Sequence, residues 1–203
     1  MKSIYNLYTE SILDDIDTSI ERGDIDIMKD VLLFINENYI GDYKISRKPN
    51  KDGLYEVSSL KDIDVKQDSS LTTLTNGMFI WTTVKGNFSC DGCRNLVSLE
   101  GAPKEVGDCF DCSYCVSLES LKGAPKKVGD CFFCYNCTNL KSLEGAPKEV
   151  KGDFKCNDCS SLESLKGAPK EVGGNFKCHR CKIKFTKEDV TKVCNVNGKI
   201  YIY

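Results

Sequence analysis

Between Phe88 and Cys181 the apolar positions of this chain return in the same order every 22 residues. The phrase reads F-x-C-x-x-C-x-x-L-x-S-L-x-G-A-P-K-x-V. Its columns are Phe88, Phe110, Phe132, Phe154 and Phe176, followed by two cysteine columns: Cys90, Cys112, Cys134, Cys156 and Cys178, then Cys93, Cys115, Cys137, Cys159 and Cys181. Two leucine columns (from Leu96 and Leu99), a proline column (from Pro103) and a valine column (from Val106) keep the same step. A fixed period in the twenties predicts a solenoid, whose coils bury their apolar faces only by stacking on one another. Within a coil, Phe and the first Cys alternate as in a strand of period two, so both point inward. The second Cys falls at a bend, where a small side chain with a weak donor can meet backbone of a neighbouring coil. Leucines fill the return, Gly-Ala-Pro makes a tight corner, and the valine re-enters the core. Burying one Phe, two Leu and one Val contributes on the order of 6–12 kcal/mol per coil before chain entropy is subtracted, so a lone coil should not fold.

The flanks follow other periods. Ile4, Tyr8, Ile12, Ile16 and Ile20 stand at four-residue steps over residues 1–22, which predicts an amphipathic helix ending near Gly23. A second helix is expected from about Asp24 to Asn38 through Ile27, Met28, Val31, Leu32, Phe34 and Ile35, closed by Gly41. Residues 1–42 would thus form a helical cap on the solenoid or, alternatively, a docking or oligomerisation element. From Tyr43 to Val57 the pattern turns strand-like around a Lys48–Gly53 turn. Ile63, Val65, Asp68, Leu71 and Leu74 repeat the spacing of Phe88, Cys90, Cys93, Leu96 and Leu99, 25 residues upstream. Residues 43–86 therefore read as a strand-like cap plus a degenerate first coil, in which Met78–Trp81 plugs the place of the Gly-Ala-Pro corner. After five repeats over residues 87–185, Lys184 and Lys187 fall on the leucine columns and a C-terminal cap is expected over 186–203. There Thr186 caps a short helix with Asp189, and Asn197–Gly198 turns the chain into a strand over Lys199–Tyr203.

Composition narrows the function classes. With 28 basic and 30 acidic residues the net charge is -2, which gives no electrostatic case for nucleic acid or a membrane surface. Acids interrupt the first residues where an export signal would be apolar, and no run of about 18 apolar residues occurs, so a cytoplasmic location is expected. A single histidine and the lack of a nucleophile elbow, phosphate loop or carboxylate pair argue against an enzyme.

Thirteen cysteines need an account. The C-x-x-C pairs repeat at zinc-ribbon spacing, so Cys90, Cys93, Cys112, Cys115, Cys134, Cys137, Cys156, Cys159, Cys178 and Cys181 are candidate zinc ligands, with His179 as an extra one. Their phase with the Phe, Leu and Pro columns, which a zinc ribbon does not need, favours structural thiols and no cofactor. Disulfides are the third state, disfavoured in a reducing compartment. Cys109 and Cys131 differ: they precede Phe110 and Phe132, where other coils carry Asn87, Asp153 and Asn175, and alternation turns them outward.

These residues carry a resemblance. F-x-C-x-x-C-x-x-L resembles the leucine-rich-repeat core, with the second cysteine column at its Asn/Cys position. The longer phrase, as in Cys159 to Pro169, is similar to BspA-type bacterial repeats and more so to S-L-E-G-A-P-K-x-V repeat proteins of large tailed bacteriophages, which share the E-S-I-L-D-D segment at Glu10–Asp15. The resemblance covers residues 60–185 and implies an α+β, right-handed, leucine-rich-repeat-like β-solenoid with short parallel strands and a binding role. For a phage protein the place of action would be the host cytoplasm.

Specificity then rests on the positions the repeat leaves variable. Outward strand positions are Ser89, Asp111, Phe133, Lys155 and Lys177, and a row at the bend holds Gly92, Tyr114, Asn136, Asp158 and Arg180. Cys109, Asp111, Tyr114, Cys131, Phe133, Tyr135, Lys155, Lys177 and Arg180 are the candidate partner-binding residues, an aromatic patch beside a charged rim. The expected function is non-enzymatic binding of a host or phage protein. The alternative is a zinc-stabilised structural or virion-assembly component. The edge bearing Lys104–Glu105, Lys126–Lys127, Lys148–Glu149 and Lys170–Glu171 reads as a solvated face.

Overall fold

The computed structural model describes residues 22–65, 67 and 70–202. Most of the helix expected over residues 1–22, and Asp68 of the degenerate coil, lie outside them. Helix α1 (Arg22–Asn38) contains Gly23 rather than starting after it. It turns Met28, Val31, Leu32 and Ile35 into the core and leaves Ile27 exposed. Asn38 Nδ2 donates to Phe34 O at 2.9 Å, satisfying a carbonyl of the last turn. The chain passes straight into β1 (Tyr39–Gly41), so the helix closes before Gly41.

Strands β2 (Lys44–Ile45) and β3 (Tyr55–Ser59) pair antiparallel around the expected turn, where Asn50 Oδ1 accepts from Asp52 N at 2.9 Å and Leu54 N at 3.2 Å. In the degenerate coil, β4 (Ile63–Val65) pairs parallel with β6 (Phe88–Ser89), Ile63 opposite Phe88. Between them runs β5 (Phe79–Val84), a six-residue strand rather than a plug. Phe79 and Trp81 are nevertheless core. Trp81 meets Tyr39, Phe79 and Phe88 at ring separations of 5.3, 6.3 and 5.9 Å, and Phe34 of α1 covers Phe79 at 5.9 Å. Helix α1 and β1 thereby close the open end of the coil stack.

Four of the five repeats contribute two strands each and the last contributes one; after β6 these are β7 (Glu105–Val106), β8 (Phe110–Asp111), β9 (Lys127–Val128), β10 (Phe132–Phe133), β11 (Glu149–Val150), β12 (Phe154–Lys155), β13 (Glu171–Val172) and β14 (Phe176–Lys177). Helix α2 (Lys187–Thr191), β15 (Asn195–Val196) and β16 (Ile200–Tyr201) complete the chain. One sheet runs β1-β4-β6-β8-β10-β12-β14-β16 and the other β15-β13-β11-β9-β7-β5-β3-β2. Among the described residues each sheet is parallel throughout except for its antiparallel N-terminal edge strand, β1 or β2. The described residues form a two-sheet β-solenoid with one helix at one end and a short one near the other.

The core lies between the sheets. Phe88, Phe110, Phe132, Phe154 and Phe176 stack with ring centroids 5.8, 5.3, 5.5 and 5.2 Å apart. Both leucine columns and the valine column complete it. The sequence pattern anticipated the Phe strand but treated the valine merely as re-entering the core. A two-residue strand with one buried position has too few residues to display a period.

The C-terminal segment forms the expected small cap and also lengthens the stack. It is more than a lid: β15 and β16 extend both ladders by another coil, with Val172 opposite Val196 and Phe176 opposite Ile200. Helix α2 replaces the leucine turn, and buried Phe185 and Val190 fill the space. Its capping box forms as expected, with Asp189 N donating to Thr186 Oγ1 at 3.1 Å and Thr186 N donating to Asp189 Oδ2 at 2.9 Å. Asn197–Gly198 makes a corner that carries the chain from one sheet to the other and into the expected terminal strand.

Candidate functional site

Alternation along the Phe sheet divides each coil cleanly. Phe and both cysteines up to Cys159 are essentially unexposed, while Ser89, Asp111, Phe133, Lys155, Lys177 and Tyr201 form the outward row. Backbone geometry explains the bend that follows. Tyr114, Asn136, Asp158 and Arg180 have φ of 55, 57, 60 and 53°, and Gly92 in the same column has 72°. One left-handed residue reverses the chain so that the next cysteine re-enters the core. Non-glycine residues pay roughly 1–2 kcal/mol for that conformation, offset by the packing it permits.

Four of the five second cysteines then hydrogen-bond the coil before them. The Sγ atoms of Cys115, Cys137, Cys159 and Cys181 donate to Cys90 O, Cys112 O, Cys134 O and Cys156 O at 3.2, 3.1, 3.2 and 3.4 Å. All thirteen cysteines are outside disulfides. Burial pushes the thiols of Cys112 and Cys134 well above the ordinary value and that of Cys156 to about 12. Zinc held by these columns would have to displace thiol protons already committed to carbonyls.

The outward face brings four of the nine sequence-chosen residues into one cluster. Tyr114 meets Tyr135 edge-on at 5.3 Å, Tyr135 lies 6.5 Å from Phe133, and Lys155 Nζ sits 4.1 Å from the Phe133 ring centre. Tyr114 is 43% exposed although it occupies a strained position. Lys177 covers Tyr201 at 5.3 Å, a neighbour the sequence reading omitted because Tyr201 lay beyond the last repeat. Arg180 is tied to Asp158 of the preceding coil, Nε to Oδ1 at 2.5 Å and Nη2 to Oδ2 at 3.1 Å, so part of its charge is answered within the molecule.

Toward the N-terminal side the face turns acidic. Asp111 Oδ1 accepts from Ser113 N at 2.8 Å. Burial and then the neighbouring Asp111 push the Asp91 carboxyl up, and burial, Asp111 and Asp91 raise the Tyr135 phenol. Asp91 belongs to this face although nothing in a two-residue strand marks the residue after the first cysteine as outward; Ser113, in the same column, is fully buried. The face thus runs from carboxylates through aromatic rings to lysines.

Cys109 and Cys131 lie at the corner entering this sheet and are half-buried. Their column is a ladder in which a side chain of one coil accepts from the backbone of the next. Asp62 Oδ1 accepts from Asn87 N at 2.7 Å, Asn87 Oδ1 from Cys109 N at 3.0 Å, and Asp153 Oδ1 from Asn175 N at 2.8 Å. Cys131 Sγ takes the same role toward Asp153 N at 3.3 Å. Fully outward orientation is therefore corrected to a corner position with a structural task.

On the opposite sheet a groove of about 410 Å³ is bordered by Lys85, Glu105, Lys126, Lys127, Glu149 and Lys151. Its pair Lys127–Glu105, 2.7 Å apart, is well exposed, which agrees with a solvated face. Among the described residues no helix is long and apolar enough to cross a membrane. Compared with known proteins, the chain matches no family model, no curated sequence and no solved structure.

Proposed function

We propose that the outer face of the Phe sheet is a protein-binding surface and that the chain acts by binding rather than catalysis. The observation that carries this reading is the contiguous Tyr114–Tyr135–Phe133 cluster, presented at the variable positions of a rigid ladder. Aromatic anchors beside a polar rim have the composition of an interface centre. The flanking lysines suit a partner whose own apolar site is bordered by carboxylates facing Lys155 and Lys177. Arg180 and Asp111 serve as rim, and Cys109 and Cys131 as the border at the corner. Resemblance to leucine-rich and BspA-type repeats, and to phage repeat proteins, supports a bacterial host or phage protein as the target class, with action in the host cytoplasm.

The test is affinity capture from bacterial lysate followed by titration of the recovered partner with purified protein. Truncating both Tyr114 and Phe133 to alanine should weaken binding at least about 100-fold, as expected for two central aromatics. Circular dichroism should stay unchanged, because both side chains lie outside the core. A double variant that binds its partner as tightly as the parent places the interface elsewhere, the lysine-bordered groove being the next surface to probe.

A further inference from the structure

The corner occupied by Cys109 and Cys131 has more chemistry than its ladder needs. The Sγ atoms of Cys109 and Cys131 and a carboxylate oxygen of Asp130 all lie within 4.8 Å of one another, the only such group of three or more donors among the described residues. The carboxylate faces both thiols, with Oδ2 3.7 Å from Cys109 Sγ and Oδ1 3.5 Å from Cys131 Sγ. A tetrahedral zinc ion with sulfur at about 2.3 Å and oxygen at about 2.0–2.2 Å separates its ligands by roughly 3.5–3.8 Å. Each thiol already stands at that spacing from one carboxylate oxygen, and the three donors lie within 4.8 Å of one another.

We propose that Cys109, Cys131 and Asp130 bind a thiophilic divalent cation, zinc above all, with a fourth position open to water. Three observations converge. Asn and Asp satisfy the same ladder column at 87, 153 and 175, so stacking does not call for sulfur, yet adjacent coils place two thiols side by side here. Gly152 leaves the space: a Cβ there would come within 2.1 Å of Asp130 Oδ1 and 2.8 Å of Cys131 Sγ, so any side chain would push the donors apart. Both cysteines are half-buried and Asp130 is exposed, so an ion can enter, unlike at the fully buried column cysteines. Two thiolates select zinc, cadmium or cobalt over magnesium or calcium. The site is separate from the buried C-x-x-C columns, and it does not depend on the partner-binding reading.

The proton balance follows from the thiols. Burial raises both above the ordinary value, Cys131 to about 12, so each carries its proton at neutral pH. Binding M²⁺ forms two metal–sulfur bonds and one metal–oxygen bond, and releases two protons to solvent. Apparent affinity should therefore rise about 100-fold per pH unit below the thiol pKa values, the mark of two displaced protons.

The experiment uses the full chain, reduced and stripped with a chelator, then titrated with Co²⁺, Cd²⁺ and Zn²⁺. Expected are sulfur-to-metal charge-transfer absorbance saturating at one ion per chain, displacement of Co²⁺ by Zn²⁺, and release of two protons per ion. Changing both Cys109 and Cys131 to Asn, the residue found elsewhere in the column, should abolish the signal while circular dichroism and the unfolding midpoint are kept. Asp130→Asn should weaken binding at least about tenfold, in the range seen when a metal site loses a supporting oxygen. A wild-type chain that binds no ion at micromolar concentrations overturns the proposal. Undiminished binding in the double cysteine variant overturns it too, and assigns the metal to the buried columns.

Discussion

At the scale of single residues, the solenoid is shaped by where a side chain is tolerated next to the coil beneath. Gly145 has φ of 102°, and a Cβ there would lie 2.3 Å from the backbone carbonyl atoms of Leu121 in the preceding coil. Gly92 also has positive φ, but a Cβ would touch only the Gln67 side chain, at 3.5 Å. Substitution by alanine should therefore separate the two. Gly145→Ala is expected to destabilise by about 2–3 kcal/mol through backbone collision and strain, and Gly92→Ala by about 1 kcal/mol through strain alone. Urea unfolding midpoints check the pair, and equal losses would mean that conformation rather than contact governs these corners. Tyr114 accepts the same strain while exposing its ring, which is the residue-scale reason to place it at the centre of the binding face.

At the scale of elements, the cysteine columns and the two ladders act together. Strands of two residues offer few backbone hydrogen bonds, so side chains supplement them: thiols on the inside, and Asn, Asp or Cys at the corner. The buried thiols make this arrangement sensitive to alkali. The Cys156 thiol is moved by burial from 9.0 to about 12, and the Tyr43 phenol from 10.0 to about 12. A raised folded-state value means that the unfolded chain loses its proton first. This contribution is complete below about pH 9 and is lost progressively as pH climbs toward about 12, at about 1.4 kcal/mol per pH unit for each such group. Denaturant midpoints should fall steeply across that window and stay flat from about pH 6 to 8 as far as these groups are concerned. Replacing Cys156 with Val should flatten the alkaline slope by one group. An unchanged slope would show that the columns do not titrate on unfolding. The phenylalanine strand was legible in the sequence because Phe and Cys mark two inward positions two residues apart. The valine strand was not, since Val106 and its equivalents offer a single inward position.

At the scale of the whole molecule, the coils add as nearly independent units between two different ends. Deleting residues 151–172 joins Val150 to Gly173 and removes one 22-residue period, leaving every column in phase. That variant should fold cooperatively with a reduced denaturant midpoint and keep the Tyr114–Phe133–Tyr135 cluster. Deleting residues 151–171 instead shifts every later position by one, turns the Phe176 column outward, and should abolish cooperative unfolding. If the second variant folds as well as the first, stacking does not enforce register. The ends were less legible than the middle. The N-terminal cap could be anticipated from helical periodicity, but its union with Trp81 and Tyr39 joins segments far apart in the chain. The last coil was hidden because α2 substitutes for the leucine turn, and the pattern of repeats vanishes although the ladders continue.

The sequence alone determined the period, the inward columns, the first-coil register, the capped C-terminal helix and the identity of the outward aromatic row. The period, columns and register follow from residues whose side-chain chemistry repeats at fixed intervals, the outward row from the variable positions between them, and the helix from the Thr186–Asp189 cap spacing. Only the tertiary structure decided what lies between coils: the second sheet, the thiol-to-carbonyl bonds, the left-handed column at Tyr114, and the meeting of Cys109, Cys131 and Asp130. Those depend on stacking one coil on the next, which brings together residues about 22 positions apart, and no pattern along a single coil records that distance.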